Sequence, residues 1–150
     1  MTVTTAVQRT AAIHPGTLKL LGGPKVVVRH AKRRPAGSIA LKYAAVENLS
    51  DYLDLSTPRV MRLIIANERT AQRRKEQGAL TEEESDRLTR VARITRRAVE
   101  AFGNATQAKT WLCRDNRTLG GQAPLELLGT DAGAEAVTDE LGRVESGELY

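Results

Sequence analysis

The stretch WLCRDNRTLGGQAPLELL, running from Trp111 to Leu128, decides how this chain is read. It holds the one tryptophan, a short polar break, a double glycine and a proline-started apolar turn. Ala108, Trp111 and Leu112 stand at i, i+3 and i+4, which puts them on the buried face of a short helix. Asn104, three residues before Gln107, is placed to open that helix as a variant of the capping box. Gly120 and Gly121 predict backbone at positive φ and a close approach of two chain segments. Pro124 suits a first helical turn, where its missing N–H is not needed, and Leu125 and Leu128 form the next apolar face. Nothing in the stretch has the spacing of a charge relay, a metal site or a phosphate loop. It reads as a docking module specified by shape.

Working outward, length and composition narrow the class. A chain of 150 residues holds one domain of ordinary size or two small helical ones. Aromatics are only 3% of it, so the core must come from Leu, Val, Ile and Ala. The lone Cys113 excludes an intrachain disulfide and fits a reducing cytoplasm. No apolar run reaches the length of a membrane span and no cleavable leader is evident, so a cytoplasmic protein is expected. His14 and His30 stand far from Cys113 and from any acid. Neither a metal site nor a nucleophile–base pair is expected, and hence no enzyme and no cofactor.

The net charge of +5 is unevenly spread. Residues 1–46 carry Arg9, Lys19, Lys25, Arg29, Lys32, Arg33, Arg34 and Lys42 with no acid. Residues 104–150 carry twice as many acids as bases. The basic front suits a polyanion, and the acidic rear suits a protein partner.

Residues 1–37 show no sustained periodicity and are expected to form a basic arm, largely disordered when free, whose removal leaves the fold intact. Leu18 to Pro24 breaks before a stable helix, and Lys25-Val-Val-Val-Arg29 has strand composition but no evident partner strand. The cluster from His30 to Pro35 either follows phosphates or is a solvated tail. Ser38 is placed to cap a first helix with Ile39, Tyr43, Val46, Leu49 and Leu53 along one stripe. Ser56 caps a second, with Pro58 in its first turn and Val60, Met61, Leu63 and Ile64 along it. Asn67 caps a third, Glu68 to Gln77, which Gly78 ends. Two short helices joined by a tight turn, the second carrying Arg69, Thr70, Gln72, Arg73, Arg74 and Lys75, form a candidate helix-turn-helix. In such a helix Arg can pair with guanine, Gln with adenine and Thr with a thymine methyl, while Lys75 holds phosphate.

Thr81-Glu82-Glu83-Glu84 is a capping box for the longest helix, which runs to about Phe102. Glu83–Arg87 and Asp86–Arg90 are oriented as i, i+4 pairs on its solvated faces. After Gly129, Thr130 or Asp131 caps a last helix, with Ala134, Val137, Leu141 and Val144 inward and Glu135, Asp139 and Glu140 outward. The terminal Leu149-Tyr150 either hooks a partner pocket or folds back.

Trp111-Leu112, then Leu119-Gly120-Gly121, then Pro124-Leu125-Glu126-Leu127-Leu128, continuing through Thr130, Gly133, Val137 and Leu141 to Gly147, closely resembles the C-terminal toxin-binding domain of the Xre/MbcA/ParS antitoxins. Asp115 stands where that family usually has proline. Arg69-Thr70-x-Gln72-Arg73-Arg74 is similar to the recognition helix of the Xre-type domain that precedes it. Ile65 stands where such a turn often has glycine, and Ala66 and Ala71 stand where larger aliphatics are usual. The resemblance implies an all-α protein: a basic arm over 1–37, a helix-turn-helix domain over 38–102 and a toxin-binding domain over 103–150, joined by a long shared helix. It implies an antitoxin that occludes a RES-domain toxin acting on NAD and represses its own operon as a dimer or toxin-bridged assembly. Arg114, Asn116, Arg117, Leu149 and Tyr150 are the candidate toxin contacts, on a frame made by Trp111, Leu119, Gly120, Gly121, Pro124 and Leu125. The alternative is a stand-alone helix-turn-helix regulator whose C-terminal domain oligomerises.

Overall fold

The computed structural model describes residues 13–28 and 39–148. Among them it is all-α, with seven α-helices, two short 3₁₀ turns in the C-terminal part and three isolated β-bridges but no strand. Two compact units meet between Ala92 and Arg93, inside the long helix.

The first unit begins with α1, Pro15–Leu20, and its ring-constrained first residue. His14, considered above only as a ligand, caps this helix: its Nδ1 accepts from the Gly16 N–H at 3.1 Å. Residues 13–28 correct the expectation of an arm disordered when free. Ile13, Leu18, Leu21, Val26 and Val27 are all buried. Val27 pairs antiparallel with Leu41, the Val28 N–H donating to the Ala40 carbonyl at 2.8 Å and the Lys42 N–H to Val26 at 2.7 Å. The backbone partner of Val26–Val28 is therefore Ala40–Lys42, a segment whose apolar stripe predicts helix. Lys42 also bridges to Ala79, and the Leu41 N–H donates to Ser85 Oγ at 2.8 Å. With its backbone bonded on both sides, Leu41 cannot be helical, and α2 starts only at Ala44 (Ala44–Leu53). The expected Ser38 cap, and the basic cluster His30–Pro35, lie outside the described residues.

Helices α3, Thr57–Ile64, and α4, Glu68–Gln77, follow with the expected bounds, although Ser56 stands at the N-cap of α3 without a side-chain hydrogen bond to it. Ile65, between them, is extended at φ −137° and ψ 120° and 93% buried, so this turn asks for no glycine. Helix α5 is Glu82–Phe102. Its capping box is complete: the Glu84 N–H donates to Thr81 Oγ1 at 3.2 Å, and the Thr81 N–H to Glu84 Oε2 at 2.8 Å. Arg87, expected beside Glu83, donates to the Ile64 carbonyl at 3.0 Å and so fastens the end of α3 to α5.

The second unit contains the rest of α5, then α6, Ala105–Cys113, and α7, Asp131–Glu145. Asn104 opens α6 by accepting from the Gln107 N–H at 3.0 Å. Thr130, not Asp131, opens α7, accepting from the Gly133 N–H at 3.1 Å. Ala98, Ala108, Leu112, Leu125, Leu128, Val137 and Leu141 make the core. Arg97 ties α5 to α7 through Glu145 at 3.2 Å, a half-exposed pair worth under about 1 kcal/mol.

Candidate functional sites: the α4 surface and the Trp111 module

On α4, the caps come first. Asn67 Oδ1 accepts from the Arg69 and Thr70 N–H groups at 2.9 and 3.2 Å, and Gly78 closes the helix at φ 72°. None of the ten residues of α4 is buried. Arg69, Gln72, Arg73 and Lys75 are exposed, whereas Thr70, Ala71 and Arg74 are half-buried. Arg69 and Arg73 share one face at i, i+4. Glu76 lies on that same face and accepts from Gln72 Nε2 at 3.2 Å, so the expected adenine reader is already engaged. Arg74 does not face outward with the others. Its Nε donates to Glu84 Oε1 and Oε2 at 3.0 and 2.8 Å, its Nη1 donates to Gln77 Oε1 at 3.0 Å, and its side chain is only 13% exposed. Burial acts to raise the Glu84 pKa, but the bonds from Arg74 and Thr81 outweigh it and hold the carboxyl below its ordinary range.

Between α2, α3 and α4 lies a cleft of about 290 Å³, floored by Tyr43, Pro58, Met61, Ile65, Ala66 and Ala71. The short side chains of Ala66 and Ala71 leave it open. Burial, and then the charge of Glu47, push the Tyr43 hydroxyl above its usual pKa.

In the second unit, the Trp111 ring meets Phe102 at a centroid distance of 5.7 Å and a tilt of 47°. Its Nε1 is buried without a hydrogen-bond partner, but the residue as a whole is only half-buried, whereas Ala108 and Leu112 of the same expected face are fully buried. The polar break then closes into a small loop. The Asn116 N–H donates to the Gln122 carbonyl at 3.1 Å, and the Gly121 N–H donates to Asn116 at 2.9 Å. Gly120 and Gly121 adopt φ 72° and 79°, as the double glycine predicts, but a Cβ at either would meet nothing within 4 Å. Close approach is required at Gly133 instead, where a Cβ would lie 1.9 Å from the Leu127 carbonyl oxygen. Leu119 is half-buried, and Pro124 and Leu125 are buried in the 3₁₀ turn Pro124–Leu127.

Arg114 and Arg117 are exposed on this loop. Asn116 is half-buried and caps the 3₁₀ turn Arg117–Leu119: its Oδ1 accepts from the Thr118 N–H at 3.0 Å and from the Thr118 hydroxyl. Thr118 Oγ1 also lies 2.8 Å from Glu140 Oε1, and Glu140 accepts from Arg143 at 3.2 Å. Glu140 is thus not on the outer acidic face. It is 98% buried and holds the loop to α7. Its place three residues after the inward Val137 is the signal for this in the sequence. Leu149 and Tyr150 lie outside the described residues.

Residues 36–93 match the antitoxin Xre-like helix-turn-helix domain, and residues 97–147 match the antitoxin Xre/MbcA/ParS C-terminal toxin-binding domain. The chain belongs to the Xre/MbcA/ParS antitoxin family. It is similar to proteins named antitoxin Xre: 41% identical over 76 residues to one from Yersinia enterocolitica, covering 50% of this chain and 51% of that one. It is 40% identical over 68 residues to one from Pseudomonas putida, covering 45% and 43%. A third, from Photorhabdus laumondii, is 38% identical over 71 residues, covering 47% and 48%. The aligned part spans about half the length of these curated relatives or slightly less. In this Xre-family chain, the matched helix-turn-helix contains α2, α3 and α4, and the matched toxin-binding domain contains the whole Trp111 module. Among the described residues no helix is long and apolar enough to cross a membrane, and no cluster of three metal-ligating side chains occurs.

Proposed function

We propose that this protein is an antitoxin that neutralises a RES-domain toxin by covering its substrate entrance, and that it represses its own operon through α4. The observation that carries the proposal is the pairing, in this order, of a helix-turn-helix match with a toxin-binding match. Arg69 and Arg73, exposed on one face of α4, are assigned to bases, and Lys75 to phosphate. Arg114 and Arg117 are assigned to the toxin, on a loop shaped by Asn116 and Thr118. The chain acts by binding and has no catalytic role.

Co-expression with the product of the adjacent reading frame tests the proposal. The two proteins are expected to copurify, and toxin activity on NAD is expected to return when Arg114 and Arg117 are both changed to Ala in a folded protein. Full neutralisation by that variant would move the interface elsewhere. On DNA, Arg69→Ala or Arg73→Ala should cost about 1–3 kcal/mol and relax sequence preference, whereas Lys75→Ala should weaken all sequences alike and lower the salt slope by about one. Tight operator binding with no copurifying neighbour product would favour the stand-alone regulator.

A further inference from the structure

Helix α4 has an unusual anchorage. An amphipathic helix is held to its domain mainly by an apolar stripe, yet α4 buries no residue, and its inward positions are Thr70, Ala71 and Arg74. Ala71 borders the open cleft of about 290 Å³ and so supplies little packing. What reaches across from α4 is Arg74, whose Nε lies 3.0 and 2.8 Å from the two Glu84 oxygens. Glu84 is fixed by the capping box, because the same Oε2 accepts from the Thr81 N–H at 2.8 Å. The side chains are 13% and 8% exposed, so the pair is shielded from salt and water. Gln77 holds the other end of the guanidinium, at 3.0 Å from Nη1.

We propose that Arg74 does not touch DNA but is a positioning residue, and that the Arg74–Glu84 pair sets the angle at which α4 presents Arg69 and Arg73. This rests on the DNA-binding reading of α4. The geometry makes an acid, Glu84, favourable to binding a polyanion, which no direct electrostatic role allows. Removing its charge should weaken DNA binding, although it makes the protein more positive.

The probes are a duplex of the DNA immediately upstream of this reading frame and a shuffled duplex of equal length, titrated by mobility shift over a range of KCl concentrations. Glu84→Gln and Arg74→Met should each weaken the upstream duplex about tenfold, the size expected for one lost charge-assisted bond. The salt slope should stay at its wild-type value, because no phosphate contact is lost. A direct phosphate role for Arg74 would instead lower the slope by about one in Arg74→Met and leave Glu84→Gln equal to or tighter than wild type. Either result overturns the proposal. Arg74→Met leaves both capping-box bonds in place, so it remains informative if Glu84→Gln folds poorly. Hydrogen exchange without DNA gives a second readout: both variants should speed exchange along α4 and leave α6 and α7 unchanged. Unaltered α4 exchange refutes the clamp whatever the DNA result. Faster α4 exchange in a protein whose wild type shows no preference for the upstream duplex sinks the operator reading and leaves the clamp standing.

Discussion

Two glycines of the Trp111 module illustrate how one residue type answers two different demands. Gly120 stands at φ 72° with open space where a Cβ would go. Gly120→Ala should therefore cost only the left-handed penalty, about 1–2 kcal/mol. Gly133 has an ordinary helical backbone, but a Cβ there would fall 1.9 Å from the Leu127 carbonyl oxygen. Gly133→Ala must push the 3₁₀ turn away from α7, and urea unfolding followed by circular dichroism should show the larger loss there. A smaller loss at Gly133 than at Gly120 would mean that the turn yields freely. The double glycine is conspicuous in the sequence and its positive φ is legible there. The steric demand at Gly133 is not, because it depends on where Leu127 ends up. Trp111 and Phe102 are both half-buried, so in the same unfolding experiment Trp111→Ala is expected to cost less than the roughly 3–5 kcal/mol of a fully buried aromatic.

At the level of elements, capping signals place the ends of α4 and the start of α5, but not the start of α2, where Ser38 and the stripe from Ile39 predict a helix several residues before Ala44. Asn67 and Gly78 bound α4, and Thr81 with Glu84 opens α5, all as read from the chain. What local signals could not give was pairing between distant segments. Val26–Val28 has strand composition, but its partner Ala40–Lys42 lies inside the apolar stripe that starts at Ile39 and so carries a helical signal. Arg74 looked like its neighbours Arg73 and Lys75, since nothing within α4 points to Glu84 in the next helix. The Arg74–Glu84 pair also makes a pH prediction. The folded Glu84 carboxyl titrates below its ordinary value of 4.5, so its contribution to stability is complete above that value and is lost as pH falls through the lower folded one. Exchange along α4 should quicken in that acidic window in the wild type and show no such step in Glu84→Gln. A step of equal size in both would assign it to other carboxylates.

For the whole molecule, the largest revision concerns its beginning. Leu18, Leu21 and Val26 are at least 94% buried, and each such side chain is worth about 1.5–3 kcal/mol. Deletion of residues 1–36 should therefore cost the first unit several kcal/mol and broaden or abolish its thermal transition, where the sequence alone suggested an intact fold. An unchanged melting curve by circular dichroism would show that this packing is dispensable. The two units can be followed separately for a simple reason. The chain's one tryptophan lies in the second unit, its ring against Phe102 and its indole N–H buried without an acceptor. This half-buried indole loses what shielding it has when the unit opens, and its emission then moves to longer wavelength. Intrinsic fluorescence excited at the red edge of the absorption band therefore reports on the toxin-binding half alone and is blind to the helix-turn-helix. The protein thus carries a single built-in lamp, placed in the part that matches the toxin-binding domain.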